Sequence, residues 1–413
     1  MCARSATVSS SLIQWSMGCP YFFSIEGKYD AGPVTFSAMA ERYCRVADRD
    51  TLLSEHTSAR TGRDVTFTAV EAADSRPVLL LRERIGRVAG VALVAALGAW
   101  LVWNFVSAPL QFVDVAVAGL RVGALYALVA LGYTLVYGIV GLINFAHGDL
   151  FMLASVFTSI LLEERLGVTS PGPRSWALTV LVLVAVMAAC AGINVSAERV
   201  VFRRLRSAPR LASLIAAVGL SFVLQWLGLQ LNGSGQRIWP TVVPNGGLVI
   251  GPVTIDWSTL VVAGVTIPLL VALTYVVSRT RQGRAMRATS QDPDAARLMG
   301  VNVDRTIAFT FGLGGALAGA AGLLYFATFG NTNYVDGYQF GLIAFTAAVL
   351  GGVGNLPGAV LGGFLIGQIQ ALNDGLPHGF GQGWSQSVVF TVLILVMVFR
   401  PQGILGERAT DKV

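Results

Sequence analysis

The stretch GYQFGLIAFTAAVLGGVGNLPGAVLGGFLIGQIQAL, residues 337–372, is apolar along nearly its whole length and carries no formal charge. Extending it upstream to Ile307 adds one charged residue, Asp336. A soluble fold could not bury so much continuous apolar chain, whereas a bilayer favours it and admits spanning segments only as helices or closed barrels. The stretch therefore predicts an all-α, polytopic integral membrane protein.

The composition of the whole chain points the same way. Of its 413 residues, 54% are apolar and 13% charged, whereas about 25% of residues are charged in soluble domains. The net charge of +6 could suggest nucleic-acid binding. The arginines, however, cluster at the ends of apolar spans, as expected of residues that mark the cytoplasmic side. No nucleic-acid partner is predicted, and cysteine and histidine spacing predicts no metal site.

Nine or ten membrane segments are expected, the first of them dispensable. They lie at 88–106, 113–140, 148–163, 176–197, 211–231, 258–278, 307–328, 338–353, 357–373 and 386–399. If each one crosses the membrane, the arginine clusters at 198–210, 279–305 and 400–408 share one side. That side should be cytoplasmic and should include the C-terminus. The segments at 338–353 and 357–373 are short of the roughly 20 residues that a full crossing needs, which predicts broken or re-entrant helices.

Glycines at helical spacing surround this predicted break. Gly354, Gly358 and Gly362 are four residues apart, as are Gly119 and Gly123. Such spacing favours close helix packing; the alternative is that glycine-rich breaks let helices rock. The residues assigned to breaks and packing are Gly351, Gly352, Gly354, Pro357, Gly358 and Gly362.

The block GLRVGALYALVALGYTLVYGIVGLINFAHGDLFMLAS, residues 119–155, places three tyrosines on one helix face. A weakly polar aromatic stripe suits the wall of a path for small amphipathic solutes, although packing between helices would explain each tyrosine alone. The residues assigned to such a path are Tyr126, Tyr133, Tyr137, Asn144, Phe145, His147 and Thr346. Asp149 is expected to cap the following helix.

The polar stretch RTRQGRAMRATSQDPDAARLMGVNVDR, residues 279–305, stands between long apolar runs and predicts a docking loop on the cytoplasmic side. Asp292 should cap a short helix with Pro293 at its first position, where a missing amide costs nothing. The alternative is a solvated loop held by local ion pairs.

Three blocks in order, GALYALVALGYTLVYGIVGLINFAHGD, GRAMRATSQDPDAARLMGVNVDR and AFTAAVLGGVGNLPGAVLGG, resemble the permease subunit of branched-chain amino acid ABC importers, the LivH type. The resemblance runs from about Val117 to the C-terminus, and RPQGILG fits the family's ending. It does not cover 1–110, and Arg121 is an unusual residue in the first family helix.

This resemblance implies an ABC importer permease domain over 111–400 with a cytoplasmic tail over 401–413, in a bacterial cytoplasmic membrane. The implied partners are a second permease subunit, two cytoplasmic ATPase subunits and an external solute-binding protein. The residues of the implied ATPase-coupling loop are Gly283, Arg284, Arg287, Asp292, Ala295, Ala296, Gly300, Asp304 and Arg305. Ala295, Ala296 and Gly300 resemble the small-residue core of that element.

The chain contains no G-x-x-x-x-G-K-[ST] phosphate loop. It is therefore expected to be a transporter subunit and not an enzyme, to bind no cofactor, and to leave ATP and Mg²⁺ to its ATPase partners. Two alternatives stay open: the same importer for urea or short amides, and an ion-coupled secondary transporter. The second is disfavoured because such proteins carry charged groups in mid-membrane, which the spans after residue 150 lack centrally.

The N-terminal region differs from the rest. Residues 1–80 are polar and without periodicity, which favours a disordered extension or a start site assigned too far upstream. Residues 81–110 contain an apolar run preceded by arginines, which predicts an extra membrane segment or a signal-like sequence.

Overall fold

The structure is a computed structural model, and it describes residues 95, 98–141, 144–168, 172–206, 208–238, 243–244, 246–251 and 253–406. The extension over 1–80 lies outside the described residues. The helices are α1 (Pro109–Val140), α2 (His147–Ser159), α3 (Pro173–Ala197), α4 (Arg210–Asn232), α5 (Trp257–Arg279), α6 (Arg281–Gln291), α7 (Pro293–Leu298), α8 (Val303–Phe329), α9 (Asp336–Gly351), α10 (Leu356–Gly375) and α11 (Ser385–Phe399). The strands are β1 (Arg237–Ile238), β2 (Gly247–Ile250), β3 (Val253–Asp256) and β4 (Asn331–Thr332).

The all-α membrane fold is confirmed. In the described part of the chain, six helices are long and apolar enough to span a bilayer: α1, α3, α4, α5, α8 and α11, with α3 continuing to Leu205 and α11 preceded by a single turn. Every predicted segment from 113 onward coincides with a helix. The first predicted segment is described only in part, and it is helical over 98–107.

The short helices are not the pair predicted. α10 has 20 residues, which at about 1.5 Å per residue suffices for the hydrocarbon core. α9 has 16 residues, and α2 has only 13 before a π-helical turn, Ile160–Arg165. The predicted break lies over 352–355, between α9 and α10, whereas the shortness of α2 was not predicted.

Three helices form the centre of the protein. α1, α2 and α8 are mostly buried, whereas α3, α4, α5 and α11 expose apolar side chains over most of their length. α1 packs most extensively against α10, and α8 against α3. An apolar interior enclosed by helices with exposed apolar side chains is expected for a membrane subunit that is surrounded by lipid or by other membrane subunits.

The glycine repeats lie at these contacts. A Cβ added at Gly367 would lie 2.3 Å from Cα of Gly123, so only glycines let α10 and α1 approach. A Cβ at Gly315 would lie 2.5 Å from the carbonyl oxygen of Cys190, which explains the close approach of α8 and α3.

α9 and α10 form a tight hairpin at the predicted break. A Cβ at Gly362 would lie 2.0 Å from the Ala347 carbonyl oxygen, and Gly352 and Gly354 turn the chain with φ of 109° and 92°. Asn355 caps α10 by accepting a hydrogen bond from the Gly358 amide at 3.0 Å. The C-terminal segment covers this turn, since Ile404 and Leu405 donate amide hydrogen bonds to the carbonyls of Leu350 and Gly351.

At the opposite end, ion pairs hold the irregular segments against the helices. Arg121, the unusual residue of α1, lies 3.2 Å from the Asp256 carboxylate and 2.6 Å from the Ser258 hydroxyl. Arg237 pairs with Glu164 at 2.7 Å. Arg121 therefore joins α1 to the junction between β3 and α5.

The helical stretch over 98–107 contacts the loop after α10. Trp100 donates a hydrogen bond to the His378 carbonyl at 2.9 Å, and the His378 amide donates to Asn104 Oδ1 at 3.3 Å. Asn104 is fully buried.

Candidate functional site

A narrow crevice lies between α1, α9 and the segment before α2. Its lining consists of Tyr133, Val136, Tyr137, Asn144, His147, Phe345, Ala348 and Val353. It has room for about one water molecule. Four of the residues predicted to line a path therefore meet here, on a mostly apolar wall.

His147 is held in this crevice by its neighbours. Its imidazole meets the Tyr133 ring nearly edge-on at 4.8 Å between centroids. A Cβ at Gly132 would lie 2.1 Å from its Nε2, so the glycine provides the notch that the ring fills. Gly314 of α8 lies on the other side of the imidazole. A Cβ added at Gly314 would be 3.5 Å from Cε1 of the ring. The histidine thus joins α1, α2 and α8.

Asn144 adds unpaired polar atoms to the crevice. The side chain is buried, and within the described residues neither of its amide atoms has a hydrogen-bond partner. The two imidazole nitrogens of His147 make no hydrogen bond of ordinary geometry there, although the Val129 backbone is close enough to interact with the ring. Leaving a buried polar group unpaired costs about 1–3 kcal/mol. The crevice therefore offers hydrogen-bonding groups to a water molecule or to a polar group of a solute.

Three predicted path residues lie outside the lining. Tyr126 donates a hydrogen bond to Gln370 at 2.6 Å, Thr346 bonds to the Leu342 carbonyl of its own helix, and Phe145 packs on Phe345 at 5.9 Å. Sequence reasoning missed Phe345, although it directly precedes Thr346.

The predicted role of Asp149 as a helix cap is wrong. α2 begins at His147 without a side-chain cap, and Asp149 lies inside its first turn. Its carboxylate instead accepts a hydrogen bond from Ser221 of α4 at 2.5 Å. Asp149 therefore connects two helices.

The polar stretch over 279–305 folds into two helices, α6 and α7. Asp292 Oδ1 accepts hydrogen bonds from the amides of Asp294 and Ala295 at 2.9 and 3.0 Å. Pro293 takes the first helical position. The predicted cap is confirmed.

α6 is fastened to the end of α5. Gly283 is buried there, and a Cβ on it would lie 2.1 Å from the Val277 carbonyl oxygen. The Arg287 guanidinium donates a hydrogen bond to the same carbonyl. Arg284 points to the exposed side. α6 therefore has a fixed position relative to the membrane helices.

α7 presents apolar side chains outward. Leu298 and Met299 are 90% and 85% exposed, and Ala295 and Gly300 are exposed beside them. Sequence reasoning did not assign Leu298 and Met299 to the loop's surface. Large apolar side chains exposed on a polar segment are typical of a protein–protein contact.

Two predicted loop residues have partners within the protein instead. Ala296 is buried in a cluster with Phe202 and Val303, so it does not belong to the outward surface. Asp304 accepts a hydrogen bond from Arg206 at 2.7 Å, so its charge is paired within the protein. Arg305 is exposed.

Comparison with known proteins identifies relatives for this arrangement. The family model described as "Branched-chain amino acid transport system / permease component" matches residues 115–398. The chain is 41% identical over 308 residues to the high-affinity branched-chain amino acid transport system permease protein BraD of Pseudomonas aeruginosa, covering 72% of this chain and 96% of BraD. It is 37% identical over 311 residues to LivH of Escherichia coli strain K12, covering 74% of this chain and 98% of LivH. No solved structure matches the chain significantly.

Proposed function

The chain belongs to the permease-component family of branched-chain amino acid transport systems, and we propose that it is the membrane-spanning subunit of an ATP-driven importer of leucine, isoleucine and valine. The observation that carries this proposal is the match over nearly the full length of two relatives named for that transport. The fold agrees, since a polytopic helical subunit with a mostly apolar inner crevice and an exposed polar loop has the parts that such a task needs.

The coupling of transport to ATP is assigned to α6 and α7. Both helices are anchored on their inner sides, α6 at the Val277 carbonyl and α7 through Ala296. Leu298 and Met299 remain outward, flanked by charges such as Arg297 and Asp294. An apolar centre with a charged rim suits a protein partner, here the cytoplasmic ATPase subunit.

The energy source is assigned to other chains. Since the sequence lacks a phosphate-binding loop, ATP and Mg²⁺ belong to two ATPase partners, and this chain works without a cofactor of its own. A second permease subunit would cover part of the exposed apolar rim, and an external solute-binding protein would deliver the cargo.

The orientation follows from charge. Arg203, Arg206 and the arginines of α6 occupy segments that, counting crossings, lie on one side together with Arg400. The positive-inside rule makes that side cytoplasmic and places the C-terminus there. Leu298 and Met299 then face the compartment in which ATP is available.

The translocation path is assigned to the crevice. Tyr133, Tyr137, Asn144 and His147 would contact the cargo, with Tyr126, Phe145 and Thr346 supporting the wall from adjacent positions. Because the crevice holds about one water, helices must separate before an amino acid passes. α9 is the helix that we propose to move, since it contributes Phe345 and Ala348 to the wall of the crevice.

Uptake of labelled leucine into proteoliposomes tests the proposal. The vesicles contain this chain, its co-encoded membrane and ATPase partners, and the solute-binding protein. We expect ATP-dependent uptake that excess isoleucine and valine block and that excess urea does not. Active ATPase without leucine uptake, but with uptake of urea or an amide, would replace the cargo. Uptake without ATP would contradict the importer assignment altogether.

A further inference from the structure

The end of α3 departs from regular α-helix. A π-helical turn, Glu198–Phe202, precedes one more helical turn, Arg203–Leu205. Single π-helical turns inside α-helices are rare and are frequently found at functional sites. Here the turn directs both Glu198 and Phe202 inward, and both are buried. We call residues 198–206 the elbow.

The elbow carries a charge cluster that reaches the docking loop. The Arg206 guanidinium donates hydrogen bonds to the Glu198 carboxylate and, at 2.7 Å, to Asp304 Oδ1. Arg203 lies 3.7 Å from Glu198 and 3.6 Å from Asp304. Two arginines and two carboxylates thus balance each other, and Arg206 joins the elbow to the first turn of α8.

The contribution of these ion pairs to stability depends on how far their side chains are buried. The Glu198 side chain is 0% exposed and that of Arg206 is 19% exposed. An exposed ion pair contributes little, whereas removing one partner of a buried pair leaves a charge without compensation and is strongly destabilising. The Arg206–Glu198 pair is therefore the buried contact of the cluster, whereas the Asp304 side chain is 48% exposed and Arg203 lies at longer distances from both carboxylates. Arg206 is the arginine that hydrogen-bonds to both carboxylates, a geometry that suits a guanidinium.

Apolar contacts reinforce the same junction. Phe202 packs on Phe311 of α8 at 5.5 Å between ring centroids. Phe202 also shares a buried cluster with Ala296 of α7 and with Val303. Asn194, one turn before the elbow, donates a hydrogen bond to the Phe311 carbonyl at 2.7 Å. The inner side of α7 thus rests on the end of α3 and the start of α8 together.

We infer that the elbow is a mechanical link: it holds α7 to α3 and α8 as one body, so that movement of the ATPase reaches α3 directly, with Arg206 as the positioning residue. The inference rests on the proposed function, because it takes α7 as the ATPase contact. The link adds α3 as a third membrane helix to α5 and α8, the chain neighbours through which the docking loop would otherwise act.

Substitution of Arg206 tests the link. Arg206→Gln should lower leucine uptake per ATP hydrolysed about tenfold while ATPase binding persists, because docking is intact and transmission is lost. Arg206→Lys should recover only part of the coupling, since an ammonium group cannot bridge two carboxylates in the same way. The matched control is Arg204→Gln, which removes the same charge from an exposed elbow residue with no ion pair among the described residues. Unchanged coupling in Arg206→Gln, or equal loss in the control, would overturn the inference.

A distance measurement tests the same inference without the Arg206→Gln variant, in case that variant folds poorly. Spin labels at exposed Arg204 and Arg305 report on the elbow and α8 without touching the cluster. In a complex that is wild type apart from the labels, we expect the same distance between the two spin labels in the nucleotide-free and the vanadate-trapped states. A change in separation between the two states would overturn the inference. Because the wild-type complex is assayed for leucine uptake in parallel, failure of the link and failure of the proposed function are distinguished.

Discussion

The imidazole of His147 meets the phenol ring of Tyr133 at an interplanar angle of 67°, with 4.8 Å between the centroids. The two residues come from α2 and α1, and the contact exists because Gly132 leaves room for the imidazole. The position of this ring within the crevice therefore depends on one missing methyl group.

Gly132→Ala should displace His147. The added Cβ would lie 2.1 Å from Nε2, and overpacking of this kind costs about 1–3 kcal/mol. We expect a lower thermal unfolding temperature in detergent and reduced leucine uptake. The control is Gly192→Ala in α3, where a Cβ meets nothing within 4 Å. Equal stability of the two variants would show that the notch is not required.

Asn144→Leu should lower leucine transport without lowering the stability of the protein. The change removes two unpaired buried polar atoms at nearly constant volume, so the free energy of unfolding should hold or rise. Uptake should fall at least severalfold, because the polar group that we assign to the cargo path is gone. Uptake kinetics and thermal unfolding measured on the same preparation check this. Full uptake by the variant would remove Asn144 from the path.

Leu298→Asp should weaken partner binding without affecting the fold. Its side chain is 90% exposed, so the isolated subunit should keep its unfolding temperature, while a charge at the centre of the proposed contact should weaken ATPase association about tenfold or more. Co-purification of the ATPase subunit measures this. Val249→Asp, at a 69% exposed residue of the β2–β3 hairpin, serves as control. Retention of the ATPase by Leu298→Asp would place the contact elsewhere.

Removal of residues 2–77 should leave transport intact. The family match begins at residue 115, and the described contacts of the N-terminal region begin with Trp100. We expect normal membrane levels and normal leucine uptake, compared with the full chain by immunoblot and transport assay. Loss of uptake at normal membrane levels would assign a function to the extension.

The membrane class, the segment positions and the Asp292 cap were determined by the sequence itself, whereas the cap expected at Asp149 was not found. Hydropathy and capping are local properties: an apolar run such as 386–399 needs no knowledge of its neighbours to be recognised, and Asp292 caps α7 through amides two and three residues away. The local signal was weakest for α2, whose apolar run continues into the first half of a π-helical turn and so resembled one longer span.

Only the tertiary structure decided which way side chains face and what they pair with. Ala296 turned inward and Leu298 outward, and Asp304 found its partner in Arg206, 98 residues earlier. Tyr126 and Tyr133 share a helix face but meet different neighbours, Gln370 and His147. In a chain that is apolar nearly all round its helices, the sequence carries little information about helix rotation. The rotation is set by glycine contacts between distant segments, such as Gly123 against Gly367, which only the folded protein brings together.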